Sequence, residues 1–466
     1  MAKLESPLPA SLPAGTGTAV FCCGACFHRR EDVARLELVV DGARHRVDAA
    51  RMPRPDLHEG DPRAFRSGFW GTVPVPARAA GEVEIGLAVR LERGDEEVVA
   101  LGAIPVVEQA PSTGTLDPGL IAVCMATYEP DLTLFTVQVQ SLRAQTDDNW
   151  LCVISDDCSS PERFAQIEAV IAGDERFTVS RSERRLGFYR NFERALRMAP
   201  AEAELIALCD QDDRWHPDKL ATLRDELGAA QLVYSDQRLV DAEGRVLRET
   251  LWEGRRNNHT DLASLLVANS ITGAASLFRR EVAELALPFP DTPGLQFHDH
   301  WLGLVALAAG DIAYVDRPLY DYVQHRGAVF GEVTGGERRA GARGLLRGGR
   351  GAYFLGYLPR EVQAHTLLVR CADRLTPSKR RALTRFLEAA RSPLAFLWLA
   401  ARPLRLLVGR TETLGSESEL AHGIAWRWAV ALLARAPAPW ARRLCDASFP
   451  DPLSFEQRRL RRWRAR

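Results

Sequence analysis

The run Glu204–Leu220, ELIALCDQDDRWHPDKL, places three carboxylates, Asp210, Asp212 and Asp213, directly after a short apolar segment. Acids packed this closely at the end of a buried strand repel one another, so they either hold protons or share a cation. Within Asp210–Asp213 the donors are hard oxygens with no thiolate or imidazole, which suits Mg2+ or Mn2+. Magnesium held by one or two carboxylates completes its shell with water and substrate phosphate. The chemistry this predicts is a cation bridging the protein and a diphosphate. The alternative is a solvated acidic turn that caps the helix after it.

The elements around the acids must position them. Leu205–Cys209 reads as a buried strand, and Pro217 with Leu220, Leu223 and Leu227 predicts a helix behind it. Upstream, Ile121–Ala126 is an apolar run followed by a helix with Leu132, Phe135, Val139 and Leu142 on one face. Trp150–Ser155 is a second strand, ending in Asp156-Asp157. A helix over Pro161–Ala172, a short strand Phe177–Ser180 and a helix Phe188–Met198 complete the alternation. Strands alternating with helices imply parallel strands joined by right-handed crossovers, hence an α/β sheet with helices on both faces. Ligands bind such sheets beyond the carboxyl ends of the strands. The polar clusters Thr127-Tyr128-Glu129, Asp156-Asp157 and Asp210-Gln211-Asp212-Asp213 all fall at those ends.

Downstream, Ala230–Leu247 reads as a strand and hairpin turning at Glu243-Gly244. Gly273 lies in a loop where it permits close backbone approach. Asp299 precedes a helical run from about His300 to Ala309, with Gly310 beyond it. An aspartate there caps the helix, and a cap carboxylate held still at a helix mouth can also serve as a catalyst. His325 stands in the closing segment AYVDRPLYDYVQHRGAVFG, where a lone histidine has no assigned role from the residues alone.

The flanks differ in texture. With 466 residues the chain is long enough for about three domains. Residues 1–17 are rich in Pro, Ala and Gly and read as loose. Residues 18–108 carry several short strands and turns at Asp41-Gly42 and Gly94-Asp95 with no helical stretch, which predicts a β-sandwich. Trp70 within it is either exposed or core. Residues 109–118 form a linker, 119–334 the α/β domain, and 335–466 a basic helical region. That last region carries 26 Arg or Lys against 10 Asp or Glu, an excess of 16, so the total of -1 leaves -17 on the first 334 residues. Such asymmetry points to an anionic surface. Trp- and Leu-bearing helices mixed with Arg suit the interface of an anionic membrane, the alternative being a helical domain whose apolar faces pack together. No recognised nucleic-acid module is present, so nucleic acid is not expected as a partner. The first residues lack the apolar core of a signal peptide, and no run is long enough to span a membrane. Scattered cysteines, several inside apolar strands, fit a reducing compartment, and the lone Cys23-Gly-Ala-Cys26 is not a zinc site.

With these residues in view, the segment from about 118 to 331 resembles the family 2 glycosyltransferases of GT-A fold. The similarity is nearest to the rhamnosyltransferase-like members that build bacterial surface polysaccharides. The motifs ATYEP, SDDCS, RLGFYRNFERAL, DQDDRWHPDKL, SITGAASLFRRE, FHDHWL and YVQHRGAVFG occur in the family's order. The resemblance implies a mostly parallel GT-A sheet and a role for each matching position. Thr127, Tyr128 and Glu129 would line the nucleotide pocket, and Asp156 or Asp157 would receive hydrogen bonds from the base. Gly187, Arg190, Asn191 and Gly273 would sit by the nucleotide-sugar. Asp210 and Asp212 would hold it with Mg2+ or Mn2+, His325 would join the metal or diphosphate, and Asp299 would be the general base. Arg185, Val323 and Ala328 depart from the residues common in the family, which leaves donor identity and the closing segment open. The implied activity is inverting transfer of a sugar from a dTDP- or UDP-sugar to a glycan or lipid-linked acceptor, in the cytoplasm or at the inner face of the membrane.

Three other readings compete. A receiver domain would want its acidic pair after the first strand, where this chain has Thr127-Tyr128-Glu129. A dinucleotide-binding domain would want a Gly-rich turn there, and none is present. A non-catalytic carbohydrate-binding or scaffold protein would not need the intact acidic set.

Overall fold

The computed structural model describes residues 2–58, 60–108, 115–252, 257–294, 296–324, 348–404 and 416–433. His325 and Ala328 lie outside the described residues. The chain forms a mixed α/β fold with a C-terminal helical region, in two compact units. One comprises Met1–Ala110, Pro290–Gln296 and Arg339–Arg466, the other Pro111–Phe289 and Phe297–Arg338.

In the first unit, β1 (Ala2–Leu4), β3 (Thr18–Cys26), β6 (Ala49–Met52) and β7 (Gly68–Val75) form a sheet in the order β1-β3-β7-β6. A second sheet runs β2-β9-β8-β4-β5, from β2 (Leu12–Pro13), β4 (Val33–Val40), β5 (Ala43–Arg46), β8 (Glu82–Leu91) and β9 (Glu96–Val107). Alternating apolar side chains from both sheets, among them Val20, Leu38, Phe69, Val73, Ile85 and Ile104, share one buried cluster. The described helices Leu358–Arg370, Pro377–Glu388, Pro393–Ala401 and Ser416–Leu433 belong to this same unit. Buried polar groups tie helices to strands. Trp70, fully buried, donates its indole N–H to Tyr353 Oη at 3.1 Å. Buried Asp48 accepts from Thr72 N at 2.9 Å and from Arg391 Nη2 at 2.6 Å, so its charge is paired. Among the described residues no helix is long and apolar enough to cross a membrane.

The second unit holds a nine-stranded sheet. Its strands are β10 (Asp117–Thr127), β11 (Trp150–Asp156), β12 (Phe177–Arg181), β13 (Ala203–Cys209), β14 (Arg214–Trp215), β15 (Leu232–Asp241), β16 (Val246–Arg248), β17 (Ser276–Arg279) and β18 (Ile312–Gln324). The order is β12-β11-β10-β13-β17-β15-β18-β14, with β16 beside β15. The neighbours β12, β11, β10 and β13 are all parallel, because each is joined to the next through a helix. The other half is mixed. β17 follows a turn at Gly273–Ala275 rather than a crossover helix, and runs antiparallel to both β13 and β15. Thr127 pairs with Asp156, and Met125 with Cys209, so the ends of β10, β11 and β13 reach one edge of the sheet together.

Candidate active site

At the end of β10, Thr127 is buried and its hydroxyl donates to Asp156 Oδ2 at 3.2 Å. Asp156 also accepts from Ser159 N at 3.0 Å. Asp157 accepts from Leu186 N at 2.5 Å and Gly187 N at 2.9 Å, clamping the following loop to the end of β11. Burial raises the Asp157 carboxyl while those two N–H donors lower it. Gly187 caps the helix Phe188–Met198 at φ +83°, a conformation that favours glycine. Asn191 is spent on the backbone: its amide donates to Thr127 O at 3.2 Å and Ser155 O at 2.8 Å. Arg190 donates to Phe289 O at 2.9 Å and pairs with Glu193. The rim is formed by Tyr128, with Arg185 stacked 3.6 Å from its ring centroid, and by Glu129, whose N donates to Ser159 Oγ at 2.8 Å.

The end of β13 is a different environment. Asp210 is pushed up to about 7, first by burial and then by Asp212 and Asp299. Asp213 is fully buried; its Oδ1 accepts from Val323 N at 3.2 Å and its Oδ2 has no hydrogen-bond partner among the described residues. Burial, then Asp212 and Asp210, hold it well above the usual carboxylate range. Lys219, from the helix Lys219–Leu227, is the cation that both Asp210 and Asp213 feel. It is itself fully buried, with Nζ 3.2 Å from the centroid of the Trp215 ring, and burial lowers it to about 7.

Asp299 belongs to the same group, since its charge raises Asp210. It is not the helix cap. The helix runs His298–Ala309 with Phe297 as cap, and Asp299 lies in its first turn. The helix therefore starts two residues earlier than expected, at His298, whose ring stacks on Phe192 with centroids 3.7 Å apart. Asp299 Oδ1 accepts from His300 N at 2.6 Å and Oδ2 from Gly273 N at 3.4 Å. A Cβ on Gly273 would lie 2.7 Å from His298 Nε2 and 3.4 Å from Asp299 Cβ, so only glycine admits this approach. Burial raises Asp299 to about 6 against the lowering effect of its N–H donors.

Among the described residues, no three His, Cys, Asp or Glu side chains gather into a site that could hold a metal ion by themselves. A metal carried largely by the protein therefore does not fit. A Mg2+ or Mn2+ that takes one or two carboxylates and fills its shell with water and phosphate oxygens does fit. Asp210 and Asp212 are partly exposed at the sheet edge, and behind them buried Asp213 keeps an Oδ2 with no hydrogen-bond partner among the described residues.

Residues 123–285 match the model of Glycosyl transferase family 2. The chain is also similar to an uncharacterized protein, y4gI, of Sinorhizobium fredii, 32% identical over 122 residues; that match covers 25% of this chain and 13% of the relative's length. Among solved structures, S. aureus TarS 1-349 in complex with UDP-GlcNAc is 15% identical, covering 68% of this chain and 91% of its own, with a TM-score of 0.43. A mannosyltransferase from Pyrobaculum calidifontis in complex with GDP-Man and Mn2+ is 17% identical, covering 70% and 90%, with a TM-score of 0.34.

The structure thus brings Thr127, Tyr128, Glu129, Asp156, Asp157, Gly187 and Asn191 to one strand edge, and Asp210, Asp212, Gly273 and Asp299 into one electrostatic group. Two residues had no place in the sequence reading. Lys219 reads as an exposed charge near a helix start, and only its place in DQDDRWHPDKL hints otherwise. His298, buried, lowered to about 3 by burial and therefore neutral, reads as a neighbour of Asp299.

Proposed function

We propose that this protein is an inverting glycosyltransferase moving a sugar from a nucleotide-sugar, a dTDP- or UDP-sugar, to a hydroxyl of a surface glycan or lipid-linked acceptor. The observation that carries it is the placement of Asp299 on Gly273 N, within electrostatic reach of Asp210, at the carboxyl edge of the sheet. The nucleotide would lie along Thr127, Tyr128, Glu129, Asp156 and Asp157, with Gly187, Arg190 and Asn191 shaping the pocket wall. Mg2+ or Mn2+ at Asp210 and Asp212, arriving with the diphosphate and joined by His325, would offset the charge of the departing nucleoside diphosphate.

The chain's own residues do the rest. Asp299 takes the acceptor hydroxyl proton onto a carboxylate oxygen as that hydroxyl attacks the anomeric carbon. Its raised pKa makes it a stronger base than an ordinary carboxylate, and Gly273 N with His300 N keep it from rotating away. Lys219 is a positioning residue. Its ammonium donates to Ala274 O, tying the helix behind the acids to the loop that holds Asp299.

The test is release of nucleoside diphosphate from a panel of nucleotide-sugars with Mn2+ present. Asp212→Ala should lose the Mn2+-dependent part of donor binding, and unaltered donor affinity in that variant would remove the metal assignment. The basic C-terminal region, where Leu394 and Leu397 stand 80% and 59% exposed, would rest on anionic lipid at the inner membrane face. Co-sedimentation with phosphatidylglycerol vesicles checks this. Recovery in the supernatant at low salt excludes it.

A further inference from the structure

A second polar cluster stands apart from the carboxylates of the transfer site. Asp321 on β18 is fully buried and receives three side chains at once. Arg214 Nε donates to Oδ2 at 2.8 Å, Arg238 Nε to Oδ1 at 2.8 Å, and His216 Nε2 lies 3.1 Å from Oδ1. One carboxylate faces two permanent cations and an imidazole, so the cluster keeps a positive excess, and Asp321 is held far below the usual carboxylate range. Exposed Glu249 is the other acid that Arg238 feels, and among the described residues it makes no hydrogen bond to it. Arg214 Nη1 and Arg238 Nη1 have no hydrogen-bond partner among the described residues. These groups line a cavity of about 490 Å³ whose remaining wall includes Val137, Gln140, Trp215 and Pro217. The guanidinium nitrogens not spent on Asp321 are therefore the unused donors of this wall, and Asp321 is a saturated acceptor. Neither Asp210, Asp212, Asp213 nor Asp299 lines it.

We propose that this cavity is a binding site for an oxyanion, a carboxylate or phosphate carried on a small polar body such as an acidic sugar. Guanidinium groups whose free edges face a cavity receive oxyanions well, and the volume suits a small ligand. The site stands independently of the transfer reaction.

The experiment is calorimetric titration of the full chain, in EDTA and without nucleotide, with glucuronate, glucose 6-phosphate, glucose and inorganic phosphate. Glucuronate and glucose 6-phosphate should bind, and glucose should bind at least about tenfold more weakly, the loss of one charge-assisted interaction. Inorganic phosphate binding as tightly as the sugar phosphate would identify a free anion as the ligand, and weaker binding a glycan-borne one. Arg214→Ala should lower anion affinity about tenfold. Asp321→Asn keeps the side-chain shape while raising the positive excess, so in a protein with an unchanged melting curve it should tighten binding. Asp212→Ala should leave anion affinity as it was, which separates this cavity from the transfer site. Equal binding of glucose and glucuronate, or Asp321→Asn folding normally without gain in affinity, would overturn the proposal.

Discussion

The two strand ends that flank β10 carry the same residue type in opposite states. At the end of β11, Asp156 and Asp157 are saturated by donors from Thr127, Ser159, Leu186 and Gly187. At the end of β13, Asp213 keeps a buried oxygen with no hydrogen-bond partner among the described residues, and Asp210 is pushed up by burial and then by its acidic neighbours. Hydrogen bonds to a carboxylate stabilise its charge, and burial among like charges does the reverse. The first pair therefore shapes the pocket as a clamp. The second group is left short of donors, and a divalent cation shared between its carboxylates and phosphate oxygens would relieve that repulsion.

The largest effect that could break this contrast is at Asp299. Asp299→Asn should keep donor binding and lower turnover by about 100- to 10,000-fold, the range for removal of a general base. Turnover at the parent rate would exclude the base role. The pH profile sharpens the same point. Because burial raises Asp299 to about 6, its base form is lost as pH falls through that value. Turnover at saturating donor should level off above pH 6 and fall about tenfold per unit below it. An ordinary surface carboxylate would hold activity down to about pH 4.

Much of this was legible in the residues, and the missing parts have physical reasons. The apolar runs ending in Thr127, Asp156 and Asp210 announced parallel strands, because period and length report burial directly. The reversal at β17 was hidden, since strand direction depends on whether a turn or a helix precedes it, and Gly273–Ala275 signals only a loop. Asp299 was located, but not its place inside the first helical turn, which begins at His298, and the stacking of His298 on Phe192 is a contact between distant residues. Lys219 and Asp321 were invisible for the same reason: a charged residue looks solvated until its burial is known. That Trp70 is core follows from its bond to Tyr353, 283 residues along the chain. Val323, where an arginine is common, packs with Leu134 and Val240, so the position serves the core.

Paired substitutions test the clamp against the unsatisfied group through stability alone. Asp157→Ala leaves the N–H groups of Leu186 and Gly187 without an acceptor and should cost about 1–3 kcal/mol. Asp213→Asn removes an acid whose ionised form burial opposes but keeps an amide oxygen for Val323 N, so urea unfolding in EDTA should show equal or greater stability. A carboxyl raised in the folded state binds its proton more tightly there than in the unfolded chain, so Asp213 opposes folding as pH rises above its unfolded value. Destabilisation by both substitutions would erase the distinction.

The smallest expected effect lies at the rim. Arg185 stacks on Tyr128 at 3.6 Å and lies 3.9 Å from Asp157, with about half of its side chain exposed. An exposed cation–π contact contributes about 0.5–1 kcal/mol. Arg185→Ala should therefore weaken donor binding about two- to fivefold, while turnover at saturating donor stays unchanged. If Tyr128 stacks on the base of the nucleotide and Arg185 braces it, Tyr128→Ala should cost as much again, and the double substitution less than the sum. Strict additivity would mean that the two residues act on the donor separately. The clamp at Asp157 would then end at Leu186 and Gly187 and contribute nothing to the rim.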